Sequence, residues 1–212
     1  FQIVGSGVGS RFLERMHLRA KEVSGKHPAK LEMERLVQNP GRYFQKLSSF
    51  KGEDEKIDFI RLSLSYPNVS IEIQKVLATD PEYGVRLTVA QNPNVSVEIL
   101  KVLSTDPDLD VRSAVAENPK VSTEILEVLS KDPDSGVRNA VARNPKVLME
   151  IQRILSKDPN YSVRLAVAEN PNVSLEILEV LAKDKEYYVR WGVAMNPKVS
   201  LEILKVLSKD PS

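Results

Sequence analysis

Between residues 80 and 209 the apolar positions fall in two short bursts per unit, and the polar punctuation between the bursts repeats every 26 residues. The first burst is typified by Ser96–Ser104, with apolar residues at Val97, Ile99, Leu100, Val102 and Leu103. That spacing is helical and nearly two-sided, as in a helix sandwiched between neighbours. Ser96 supplies an N-cap, and Glu98 sits in the first turn where the helix dipole favours an anion. The second burst runs through Val111-Arg112-Ser113-Ala114-Val115-Ala116. Asp106-Pro107 predicts its start, with Asp as cap and Pro at the first helical position. Asn118-Pro119 predicts its end, because a residue before proline avoids helical geometry. One of the two helices could be 3₁₀. Helices this short do not survive alone, so stacking of successive units must hold them.

The recurrence is regular. Asp stands at 80, 106, 132, 158, 184 and 210; Val-Arg at 85, 111, 137, 163 and 189; Asn-Pro at 92, 118, 144, 170 and 196. Five regular repeats therefore occupy residues 80–209, and 210–212 begin a further one. Upstream, Tyr66-Pro67-Asn68-Val69-Ser70 echoes Asn92-Pro93-Asn94-Val95-Ser96, and Asn39-Pro40 precedes it by 27 residues. Residues 28–79 read as two degenerate repeats, the first a cap for the exposed end of the array. Residues 1–27 form a basic N-terminal segment that begins on Phe1, as a processed product or fragment would, with Gly5–Ser10 as a linker. The expected fold class is an all-α solenoid of 26-residue two-helix repeats, without sheet.

The string Asp-Pro-x-x-x-Val-Arg-x-Ala-Val-Ala-x-Asn-Pro resembles the leucine-rich repeat variant family over residues 80–209, and more weakly over 54–79. It is also similar to HEAT repeats in its Asp-then-Arg spacing. The resemblance implies a right-handed superhelix of alternating α- and 3₁₀-helices and no firm biochemical activity. Where family members carry Thr-Pro-Pro or similar, this chain has Val95-Ser96-Val97, which shifts the cap by a residue. Some members hold a cysteine-ligated iron–sulfur cluster in an N-terminal domain. That cofactor does not carry over, because this chain has no cysteine.

Hydrophobic residues make up 42% of the chain and charged residues 28%, a balance sufficient for a core. The net charge of +1 gives no overall attraction to nucleic acid or anionic membrane. The distribution is uneven: residues 1–51 hold ten Lys/Arg against four Asp/Glu, and the rest hold twenty against twenty-five. The absence of cysteine removes disulfides and thiolate metal sites and fits a cytoplasmic location. No apolar run reaches membrane-spanning length.

Three columns of side chains follow from the repeat. Arg86, Arg112, Arg138, Arg164 and Arg190 could clamp phosphates, or could form a structural ladder with Asp80, Asp106, Asp132, Asp158 and Asp184 of their own or the adjacent repeat. The matching Asp column favours the ladder. Glu72, Glu98, Glu124, Glu150, Glu176 and Glu202 read as first-turn dipole compensation rather than a cation site. The third column is variable. If Val85, Thr88 and Val89 are buried, the opposite side of the second helix carries Tyr83-Leu87-Gln91, then Leu109-Ser113-Glu117, Ser135-Asn139-Arg143, Tyr161-Leu165-Glu169 and Tyr187-Trp191-Met195. These side chains either pack as extra core or floor a partner-binding groove with aromatic anchors. The groove reading selects Tyr83, Leu87, Arg143, Tyr161, Leu165, Tyr187, Tyr188, Trp191 and Met195, with Gly192 making room for bulk.

His17 and His27 have no clustered carboxylate, and Gly5-Ser6-Gly7-Val8-Gly9 lacks the spacing of a nucleotide loop. No nucleophile–base pair stands out, so neither enzyme activity, metal nor cofactor is expected. The expectation is a non-enzymatic scaffold that holds a protein or peptide on its concave face. The alternative is a HEAT-like nucleic-acid-binding array using the Arg column and the basic Arg11–Leu36 segment, although that segment could equally dock on the acidic array as a cap. Self-association through an uncapped C-terminal end is a further expectation.

Overall fold

In the computed structural model, which describes residues 28–209, the bursts become fourteen helices, with no strand among the described residues. They are α1 (Pro28–Leu36), α2 (Pro40–Leu47), α3 (Glu53–Leu64), α4 (Ile71–Leu77), α5 (Tyr83–Ala90), α6 (Val97–Leu103) and α7 (Leu109–Glu117). Then follow α8 (Thr123–Leu129), α9 (Ser135–Arg143), α10 (Met149–Leu155), α11 (Tyr161–Glu169), α12 (Leu175–Leu181), α13 (Tyr187–Met195) and α14 (Leu201–Leu207). Both helices of every regular repeat are α-helices, not an α and 3₁₀ pair. The glycine-rich segment, His17, His27, most of the basic N-terminal stretch and residues 210–212 lie outside the described residues.

The first helices begin where the sequence places their caps. Ser122, Ser174 and Ser200 each accept a hydrogen bond from the backbone N–H three residues on, at 3.4, 3.3 and 3.2 Å. Leu148 occupies this position in α10 and makes no capping hydrogen bond. Its side chain is exposed and its backbone is already extended. We expect Leu148→Ser to stabilise the chain by about 1 kcal/mol, read as a higher urea midpoint with an unchanged slope.

The second helices start later than Asp106-Pro107 predicts. Asp106 closes a turn by accepting from Asp108 N–H at 2.9 Å, and the cap is Asp108, which accepts from Asp110 N–H at 2.9 Å. Asp134 and Asn160 cap α9 and α11 in the same way. The Asn-Pro stop takes its expected form, with Asn118, Asn144, Asn170 and Asn196 all extended at the helix end.

The described residues divide into two compact units, 28–99 and 100–209. In the second unit the helices form two layers. The second helices α7, α9, α11 and α13 lie side by side with close backbone approach, while consecutive first helices make at most sparse contacts of that kind. Side-chain size accounts for the difference. Small residues at Ala114, Ala116, Ala140, Ala142, Ala166 and Ala168 are buried in the second-helix layer. In the first-helix layer the buried residues include Ile125, Leu126, Leu129, Ile151, Leu155, Ile177, Leu178 and Leu181. Helices packed through alanine approach more closely than helices packed through leucine, so the second-helix layer is the inner one. Val97 and Val102, read as part of a two-sided helix, are half-exposed, as are Val128, Ile154 and Val180 at the Val102 position. In α14, Leu204 is 37% exposed, whereas Leu126 and Leu178 at the same repeat position are fully buried.

The first unit departs from the repeat. Asn39-Pro40 opens a helix here instead of closing one: Asn39 caps α2 by accepting from Arg42 N–H at 3.1 Å, with Pro40 in the first turn. An aromatic cluster joins the aliphatic core here. Tyr43 and Phe50 pack on Phe59 at centroid distances of 5.2 and 5.0 Å. The buried Tyr43 hydroxyl shares a 2.8 Å hydrogen bond with Ser63, and burial pushes its pKa up to about 12.

Candidate functional site

Two ladders fix one repeat against the next in the second unit. In the first, Arg112, Arg138 and Arg164 each grip the Asp 20 residues downstream with two hydrogen bonds. Arg164 donates from Nε to Asp184 Oδ2 at 2.6 Å and from Nη2 to Asp184 Oδ1 at 2.9 Å. Its Nη1 donates to the carbonyls of Asp158 and Pro159 at 2.8 and 3.2 Å. Arg112 binds Asp132 and Arg138 binds Asp158 in the same manner. Arg86 and Arg190 donate to the carbonyls of Asp80 and Pro81, and of Asp184 and Lys185. Each Arg thus serves its own repeat through backbone carbonyls, and in these three the adjacent repeat through a carboxylate.

The electrostatics follow from the geometry. The carboxylate hydrogen bonds raise the Arg112, Arg138 and Arg164 guanidinium pKa values above the ordinary arginine value, against the opposing effect of burial. Burial alone would raise the Asp184 pKa. The Arg164 hydrogen bond, the Glu186 backbone N–H and nearby cations outweigh it and lower the pKa below 3.8. The Glu column behaves differently: Glu72 is lowered by a backbone and a Ser70 hydroxyl hydrogen bond, and Glu124 by Ser122 and the backbone. That is helix-start chemistry on exposed side chains.

The second ladder was hidden in the sequence, where Asn118, Asn144, Asn170 and Asn196 read only as helix stops. Asn170 Nδ2 donates to the carbonyls of Ala142 and Asn144 at 2.7 and 3.2 Å, while its Oδ1 accepts from Asn172 N–H at 2.8 Å. Asn196 repeats this one unit on, bonding Ala168, Asn170 and Lys198. Asn144 donates to the Ala116 carbonyl at 2.6 Å. The signal was available: Asn recurs in five repeats, and among small caps the amide alone offers two N–H donors to a neighbour beside an oxygen that accepts from a turn.

The exposed side of the second helices is the remaining feature. On α13, Tyr187, Tyr188, Trp191 and Met195 all point outward, with Tyr188 59% and Trp191 47% exposed. Their spacing of three and four residues puts them on one helical face. Tyr188 lies 5.6 Å from Tyr187 and 6.2 Å from Tyr161 of α11, which is also exposed. Leu165 of α11 is half-buried. A Cβ on Gly192 would lie 2.6 Å from Leu165 Cδ1, so the missing methyl lets Leu165 seat against α13. Alanine stands at this position in the three preceding repeats. In the first unit, Tyr83 is exposed and Leu87 half-buried. Arg143 is engaged within the chain: it pairs with Glu169 at 3.1 Å and donates to Asn139 Oδ1 at 3.1 Å. Asn139 in turn donates to the Ser162 carbonyl at 2.7 Å. The centre of the face is therefore a satisfied polar network, and the aromatic cluster stands beside it.

Among the described residues no group of three or more His, Asp or Glu side chains is arranged to hold a metal ion. No described helix is long and apolar enough to cross a membrane. Paired helices, tight inner packing and ladders that repeat every 26 residues define this chain as an all-α helical repeat protein. The family model described as leucine-rich repeat variant matches residues 83–108, one of these repeats. A solved structure described as "a leucine-rich repeat variant with a novel repetitive protein structural motif" covers 99% of this chain and 83% of its own. It is 24% identical with a TM-score of 0.63, a likeness of fold. The structure of E. coli YibA covers 81% of this chain and 74% of its own, at 17% identity and a TM-score of 0.48. No curated protein matches the sequence.

Proposed function

We propose that this chain is a non-enzymatic scaffold that holds a protein or peptide partner on the outward face of its second helices, with the α13 cluster as anchor. One observation carries the reading. Tyr187, Tyr188, Trp191 and Met195 are each about half-exposed or more on a single helical face, with Tyr161 beside them. Folding consumes few of their contacts, and clustered exposed aromatics are what protein interfaces use as anchors. The inter-repeat ladders favour this reading over nucleic-acid binding. The guanidinium groups of Arg112, Arg138 and Arg164 are mostly buried against carboxylates, so they offer little charge to phosphates.

Trp191→Ala tests the scaffold. We expect capture of the partner from a lysate of the source cell to fall by about thirtyfold or more. The thermal midpoint should stay within a few degrees of the parent, because the side chain is half-exposed. Undiminished capture with Trp191→Ala, and again with Tyr188→Ala, would remove the aromatic face from the function.

A further inference from the structure

The occupant of this face can be specified further, on the reading that the face is the binding surface. We infer that it accepts a cationic peptide segment, with an Arg or Lys side chain laid on the Tyr161–Tyr187–Tyr188–Trp191 rings. Charge complementarity carries the inference. The outward positions of the second helices in the second unit, with their caps, carry Asp108, Asp110, Glu117, Asp134, Glu169 and Glu186. The one cation among the same positions is Arg143, and Glu169 already pairs with it. Arg112, Arg138 and Arg164 offset these carboxylates only in part: each is matched by a ladder Asp, while Asp134 acts on Arg112 and Arg138, and Glu186 on Arg164, at longer range. The lysines near this face lie on turns rather than on it: Lys198 donates to the Val173 carbonyl, Lys146 to the Pro119 carbonyl, and Lys185 sits ahead of α13.

The cap of α13 points the same way. Asp108, Asp134 and Asn160 spend a side-chain oxygen on their own helix. Glu186 takes that position in α13, directly ahead of Tyr187 and Tyr188, and makes no side-chain capping bond, so its carboxylate, which acts at longer range on Arg164, is not spent on its own helix. Ring faces carry negative quadrupole potential, and a guanidinium stacks on them while keeping its N–H edges for carboxylates. An apolar or acidic segment would leave these carboxylates unmatched or repelled.

The chain reports on its own site, since Trp191 is its single tryptophan. The test titrates the full chain with an end-blocked peptide of alternating Gly and Arg, with Gly-Leu and Gly-Glu versions and a short single-stranded RNA as comparisons. The Gly-Arg peptide should change Trp191 fluorescence saturably, and the change should vanish in about 0.5 M salt. Tyr188→Leu keeps apolar area but loses the ring and should weaken binding about two- to fivefold. Glu186→Gln should weaken it and flatten its salt dependence. Equal or tighter binding of the Gly-Leu peptide, the Gly-Glu peptide or the RNA would overturn the cationic assignment. So would no response to Gly-Arg in a chain whose partner capture still requires Trp191. Capture insensitive to Trp191→Ala would instead overturn the underlying scaffold reading.

Discussion

Asp184→Ala should lower the unfolding free energy by about 3–5 kcal/mol, the largest effect expected of any single change here. The substitution leaves Arg164, which is 6% exposed, without its carboxylate partner. It also strips the Glu186 N–H of its 2.9 Å acceptor. The cost arises from stranding a buried charge, not from the intrinsic strength of an ion pair, so the double variant Arg164→Leu/Asp184→Ala should recover part of it. Urea unfolding of the four chains completes the cycle; additive losses would show that the pair is not coupled. The same pair sets a pH dependence. The Asp184 pKa is lowered on folding, so its contribution is complete above the ordinary value of 3.8 and disappears as pH falls through the lower folded value. Asp184→Ala should accordingly flatten the acid limb of the stability profile. Salt should weaken this pair little, because it is sheltered from solvent.

Asn170→Ala should cost about 3 kcal/mol. It deprives the buried Ala142 and Asn144 carbonyls of a donor and the Asn172 N–H of an acceptor. Asn170→Asp is the sharper variant. It keeps size and acceptor but turns a carboxylate oxygen towards two carbonyls, so it should destabilise at least as much as alanine at pH 7. Part of that loss should be relieved as the carboxyl protonates in acid. If Asn170→Asp proves neutral, the amide does not act as an inter-repeat donor. Because stacking is local, protection from hydrogen exchange should fall first around α9 and α11, before the rest of the second unit.

The two ladders also explain how much of this molecule could be read in one dimension. The 26-residue period, the paired helices and the serine caps depend on interactions within a few residues, which sequence spacing states directly. The Asn-Pro stop is legible for the same reason in the regular repeats. It misleads at Asn39-Pro40, where Pro40 enters the first turn of α2 and the same dipeptide starts a helix. The placement of Asp106-Pro107 failed by two residues because an Asp can close a turn as readily as cap a helix.

The sequence by itself determined that this is an array of short helix pairs with an Arg column, an Asp column and a variable stripe, because each is a matter of period. Only the tertiary structure decided that Arg164 reaches forward 20 residues to Asp184, that Asn170 reaches back 28 to Ala142, and that Trp191 and its tyrosines stand in solvent. Those outcomes depend on which helix layer packs closer. That spacing is fixed by the sizes of side chains meeting across repeats, where alanine on one layer opposes leucine on the other, and no interval along a single chain records it.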